Sequence, residues 1–274
     1  MKHRLFLTVG AALTLGLAGH AAAQTAAPAG HVGLDYSRSN LEAGPYEADA
    51  DAWRLDGSFA FPTSGPMNLA VDAAISNFDS NDLGGDATVV GGTGHLDYRM
   101  GDTNLLGVFV GGEHNSDVNL FGGGIEGQNT SSMAGVAVQI GYGRADDLDG
   151  ADFWAGRIEG RLYPTDNVRL SLNAGETQLK GDGGDTSLYN IGATAEYQFS
   201  SMPISVWGGY ERGEWNDADL SADTWRLGVR YNFGGSLRER DAAGASMGSM
   251  SELFGGALGS GLVAVVGQVL DQLP

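Results

Sequence analysis

The sequence predicts an all-β chain, a 12-stranded antiparallel up-and-down transmembrane β-barrel, with 10 or 14 strands as the alternatives. Three observations predict it. Apolar and polar residues alternate through most of the chain, the pattern of side chains pointing to opposite faces of a strand. The alternating runs come in pairs around short turns, and the pairs recur at a spacing of roughly 30 residues. The polar face carries arginines and carboxylates, whereas the outer face of a water-soluble sheet usually carries lysine; Lys180 is the single lysine beyond residue 2.

The chain of 274 residues opens with an export signal. Lys2, His3 and Arg4 precede an apolar run from Leu5 to Leu17, and Ala21-Ala22-Ala23 offers a small-residue cleavage site. That run is too short to span a membrane, so residues 1–23 read as a leader. The domain reading is a signal peptide at 1–23, a transmembrane barrel at 24–233 and a periplasmic C-terminal extension at 234–274. With no cysteine, the chain has no thiol nucleophile, no thiolate metal site and no disulfide to hold an exported fold together. Fifteen Lys and Arg stand against 34 Asp and Glu, and this acidity argues against a nucleic-acid partner. No stretch beyond the leader holds 18 consecutive apolar residues, which excludes a helical membrane protein but leaves a transmembrane barrel open.

The first strand is "HVGLDYSRS" at 31–39. Five hairpins follow at 51–79, 86–115, 117–146, 150–179 and 185–215, each folded about a turn such as "FPTSGP", "RMGDTN" or "YPTDN". The last strand is "TWRLGVRYNF" at 224–233. One strand, ten hairpin strands and a closing strand make an even number, which returns both barrel ends to the same side. In each run the faces separate. Val136, Val138, Ile140 and Tyr142 oppose Ala137, Gln139 and Gly141; Trp154, Ile158 and Leu162 oppose Arg157, Glu159 and Arg161. Apolar sides facing lipid and polar sides facing a lumen explain this better than a soluble core does. Tyr98, Tyr163, Tyr197, Phe61 and Phe199 sit beside the short turns, as an interfacial girdle would. The connections at the opposite end read as longer and acidic, which matches external loops.

The pattern Arg226-x-Gly228-x-x-Tyr231-x-Phe233 resembles the C-terminal assembly signal of Gram-negative outer-membrane β-barrels. Residues 30–233 as a whole resemble the small porin-like barrels of that class. The resemblance implies the cell outer membrane, contact with its lipid and lipopolysaccharide, recognition by the barrel-assembly machinery, and passive diffusion of ions or small hydrophilic solutes. It implies no cofactor and no substrate. One departure is plain: that signal usually ends a chain, and here the sequence runs on from Gly234 to Pro274. Residues 234–250 read as a polar linker and 251–273 as an apolar segment with helical spacing, capped at Ser251. Three placements fit it: a helix on the membrane or barrel rim, a plug in the lumen, or a disordered tail.

The pore-lining residues follow from strand parity. Arg54, Asp56, Asp72, His95, Asp97 and Arg99 should project inward from the first half of the chain, together with Glu113 and Glu126. Arg157, Glu159, Arg161, Arg169, Glu196, Glu211, Arg226 and Arg230 should do so from the second, with Arg226 and Arg230 near Asp35 where the barrel closes. Rings of charge set ion preference in a pore. The same charges can instead pair across a small barrel and fill it, giving a non-conducting structural or surface-interaction barrel. His95 and Asp97, two apart on one strand, could form half of a catalytic triad, but no serine neighbours them there, so no catalytic residue is assigned. "DSNDLGGD" and "DDLDGAD" offer oxygen ligands without the EF-hand spacing, so no metal site is assigned either. Their acidity predicts a cation-preferring mouth.

Overall fold

A computed structural model describes residues 27–80, 85–115, 119–145, 151–181, 184–216 and 220–255. The leader at 1–23 and the apolar stretch after Gly255 lie outside the described residues. Twelve antiparallel strands form one closed barrel in sequence order: β1 Ala29–Ala43, β2 Tyr46–Pro62, β3 Met67–Ser80, β4 Gly85–Met100, β5 Asn104–His114 and β6 Asn119–Thr130. The second half is β7 Ala134–Ala145, β8 Ala151–Thr165, β9 Val168–Gly181, β10 Gly184–Gln198, β11 Ile204–Trp215 and β12 Leu220–Phe233. β1 and β12 pair from Gly30 opposite Phe233 to Ala43 opposite Leu220, so no edge is left open.

The alternation read in the sequence is the alternation of the wall. Along β7, Val136, Val138, Ile140 and Tyr142 are exposed on the outside, while Ala137, Gln139, Gly141 and Gly143 are buried inside. Leu34, Leu55, Val108, Ile158, Leu172, Ile191 and Leu227 continue the outer belt. The inner face is buried and polar: Asp35, Thr93, His95, Gln139, Glu159, Arg161, Glu196 and Thr224. This is the inverse of a water-soluble fold, and a lipid surround is what makes it stable.

Two expectations change. Among the described residues, acidic positions expected in long loops lie on strands: Glu42, Glu47, Asp49, Asp51 and Asp79 are on β1–β3, and the β1–β2 connection is Gly44 and Pro45 alone, while most of "DDLDGAD" and the middle of "DSNDLGGD" lie outside the described residues. Apart from β5, the strands, of 12 to 17 residues, exceed the ~9–11 that cross a bilayer, so hairpins project beyond it. Tyr163 does not join the girdle. It shares parity with Glu159 and Arg161 and is buried inside the barrel.

After Phe233 the chain enters the lumen. Gly234 and Gly235, both at positive φ, turn it inward. Helix α1, Leu237–Ala242, begins at Ser236, whose hydroxyl and Glu239 make a reciprocal capping box. The sequence read this stretch as linker, although Ser236-x-x-Glu239 carries the cap signal. Helix α2, Met250–Gly255, starts two residues earlier than Ser251 suggested: the Ser249 hydroxyl accepts from the Glu252 amide, and Glu252 accepts from the Ser249 amide. The described part of the extension therefore lies inside the barrel. Its polar groups find partners on the lumen wall that a rim position would not supply.

Candidate functional site

The site is the lumen together with the segment seated in it. The sixteen residues expected to project inward share the parity of the buried inner face, and most are engaged. The barrel has a turn rim, where both Ala29 and Phe233 lie, and a loop rim at the opposite end. Near the turn rim, Arg169 on β9 donates to Glu196 on β10 at 2.7 Å and to Asp241 of α1 at 3.0 Å. Arg230 on β12 donates to the same Glu196 oxygen at 2.8 Å, and Ser205 donates to the other at 2.6 Å. Arg240, fully buried, donates to Asn232 and to Glu196. Burial alone would push the Asp241 carboxyl up. Arg169, Arg161 and Arg240, with the Ser246 hydroxyl, more than offset this and hold it below the usual carboxylate range.

One level higher, Glu159 bridges Arg157 at 2.5 Å and Arg161 at 2.7 Å. Arg161 also donates to Gln128, to the Ser246 hydroxyl and to the Ser246 carbonyl. Facing these, His95 sits between Asp72 and Glu126 at 2.8 Å each, and Gln139 donates to Glu126 and to the Gly248 carbonyl. Asp97 instead accepts from Asn68, and Arg99 donates to the Ala242 carbonyl. The expected His95–Asp97 contact is therefore not the one made, and both His95 nitrogens are engaged elsewhere. Arg54, Asp56 and Asp72 line a cavity of about 100 Å³ beside the seated segment. Glu211 and Arg226 line a second of about 90 Å³.

At the closing pair, Arg226 donates to Asp35 at 3.2 Å, as parity required. Arg230, two residues along from the Gly228 that faces Asp35, lies near it as expected but bonds Glu196. Trp207 explains the divergence. Its indole lies between the two guanidiniums, 5.0 Å from Arg226 and 4.6 Å from Arg230. Gly228 makes the room, since a Cβ there would meet the indole nitrogen at 2.4 Å. Of the proposed assembly-signal residues, Arg226 and Gly228 thus face the lumen, while Tyr231 is exposed outside and the Phe233 ring packs 5.4 Å from that of Phe59.

The loop-side half of the lumen is different. Phe109, Leu120, Ala145, Phe153 and Ala155 form an apolar patch, and Met250, Leu253 and Phe254 cover it. The rings of Phe153 and Phe254 meet edge-on at 4.5 Å. Gly141 leaves space for the segment, since a Cβ there would meet Leu253 at 2.9 Å. Sequence reasoning missed this seat. The signal was present: Phe109 and Phe153 are large apolar residues at inward parity, where charged residues otherwise stand.

No protein-family model matches the chain, and no curated protein matches it. Solved structures do. The translocator domain of the autotransporter NalP from Neisseria meningitidis is 13% identical, with 83% of this chain and 96% of that one covered and a TM-score of 0.52. An outer-membrane channel from Pseudomonas putida F1 is 12% identical over 75% of this chain and 96% of that one, with a TM-score of 0.56. The NanC porin is 12% identical over 73% of this chain and all of that one, with a TM-score of 0.51. At such identities the likeness speaks for architecture alone: this chain is a closed twelve-stranded β-barrel, similar in architecture to these outer-membrane barrels.

Proposed function

We propose that the chain is a porin-like outer-membrane channel for ions or small hydrophilic solutes, narrowed by its own residues 236–254. The observation that carries this reading is a closed twelve-strand wall with a charged interior, in which cavities remain beside the seated segment. The reading is non-enzymatic: His95 is clasped by Asp72 and Glu126, His31 bonds Asp56, and Arg157, Arg161, Arg169, Arg226, Arg230 and Arg240 are ion-paired. Cation preference is proposed to arise at the loop rim, where Glu42, Glu47, Asp49, Asp51 and Asp79 gather on β1–β3. Inside, arginines and carboxylates are nearly balanced and give no strong preference.

Lipid and lipopolysaccharide are the proposed surroundings of the outer belt, and the barrel-assembly machinery the proposed reader of Arg226, Gly228, Tyr231 and Phe233. A second reading has its own support. The arginine–carboxylate network and the seated segment occupy most of the lumen, as a non-conducting structural or surface-interaction barrel would have them. Reconstitution in planar bilayers under a salt gradient tests both readings. A cation-directed reversal potential is the expected result. An anion-directed one overturns the preference, and the absence of any channel, with the segment present or removed, favours the structural barrel.

A further inference from the structure

The route of the seated segment has a direction, and strand β8 measures it. Asp241 accepts from Tyr163, close to the turn rim. Ser246 is bonded by Arg161. The Gly248 carbonyl takes Gln139, which pairs with Arg157 across β7 and β8. Phe254 packs on Phe153, and its carbonyl takes the Thr177 hydroxyl, the residue opposite Ala155. The partners along β8 therefore step from 163 to 153 without reversal, towards its loop-rim end at Ala151. A chain that leaves β12 at the turn rim has crossed nearly the whole barrel by Phe254.

Three features fix this route. The polar contacts are specific and differ at every level, so a one-step slip breaks them together. Gly244 and Gly248, at φ +91° and +102°, set the two bends the path needs. The apolar seat of Phe109, Leu120 and Phe153 lies at the loop-side end of the path, and only an apolar occupant such as Leu253 and Phe254 keeps it from water.

We propose that the barrel passes its own C-terminal segment through the lumen and presents the chain beyond Gly255 on the loop side, the outer face of the cell. The barrel thus serves as a conduit for its own C-terminus. This rests on the barrel and its orientation and is independent of whether the lumen conducts.

The absence of cysteine makes the test clean. Three single variants of the full chain are compared: Gln272→Cys, Glu47→Cys at the loop rim and Ser201→Cys in the β10–β11 turn. Each is exposed to a membrane-impermeant maleimide in intact cells, then after outer-membrane permeabilisation, then after denaturation. The expected result is labelling of positions 272 and 47 in intact cells, with position 201 labelled only after permeabilisation. Labelling at 272 that follows 201, or that waits for denaturation, overturns the proposal. If 201 labels in intact cells and 47 does not, the barrel is oriented the other way and presentation at the outer face is overturned. Channel activity enters none of these readings, so its failure stays distinguishable.

Discussion

Arg169 holds Asp241 across 72 residues of sequence, its Nη1 3.0 Å from one carboxylate oxygen and 3.1 Å from the other. The pair joins a barrel strand to a helix that begins only after the barrel has closed. Asp241 is fully buried and accepts also from Tyr163 and Ser246, while its carbonyl takes Gln128. A carboxylate so surrounded by donors acts as the anchor of the seated segment.

Asp241→Ala leaves Arg169 buried with one partner fewer. Removing one member of a buried pair costs about 3–5 kcal/mol. The expected outcome is release of α1, read as tryptic cleavage after Arg238 or Arg240 in a variant whose barrel still resists protease. Cleavage no faster than in the parent chain argues against the anchor.

Phe254→Ala removes the ring that covers Phe153. Truncating a buried Phe to Ala costs about 3–5 kcal/mol in a packed core, and the lumen seat is such a core. Amides of 250–254 should lose hydrogen-exchange protection, while those of α1 keep theirs because Asp241 and Arg240 still hold it.

Gly248→Val places a β-branched residue at φ +102° with its Cβ 2.7 Å from the Gln139 side chain. Backbone strain of this kind costs on the order of 1–3 kcal/mol. The same exchange experiment should show loosening centred on 246–252, with the strand amides unchanged.

Acid should release the segment. Asp241 is held below the usual carboxylate range, so its contribution is present above the unfolded value of about 3.9 and is lost as pH falls through the lower folded value. The Glu239 carboxyl, held down by the Ser236 amide and hydroxyl, moves in the same direction. Seating should be constant from pH 8 to about pH 5 and weaken below about pH 4. Conductance that rises in that acid window, and less so in Asp241→Asn, is the expected reading.

Much of the barrel was legible in the sequence because lipid outside and a polar lumen inside impose a period of two on nearly every strand. That period located Arg226 beside Asp35 correctly. It also held the information that Tyr163 and Phe153 face inward, which their aromatic character masked. The capping boxes Ser236-x-x-Glu239 and Ser249-x-x-Glu252 were legible as well. Their placement inside the barrel was not, because α1 and α2 are each only six residues long and are held largely by contacts to distant strands, as far as 157 residues earlier. No local pattern encodes such contacts. The bond of Arg230 to Glu196 was not legible for a related reason: Glu196, and the Trp207 ring that Arg230 lies over, are on other strands and invisible to parity within β12.

The central claim is a charged channel narrowed by its own C-terminal segment. Single-channel conductance in planar bilayers, compared between the full chain and a chain ending after Gly235, tests it most directly. The account predicts a small or absent conductance for the full chain and a several-fold larger one once residues 236–274 are removed. Equal conductance from the two chains, or none from either, would contradict it.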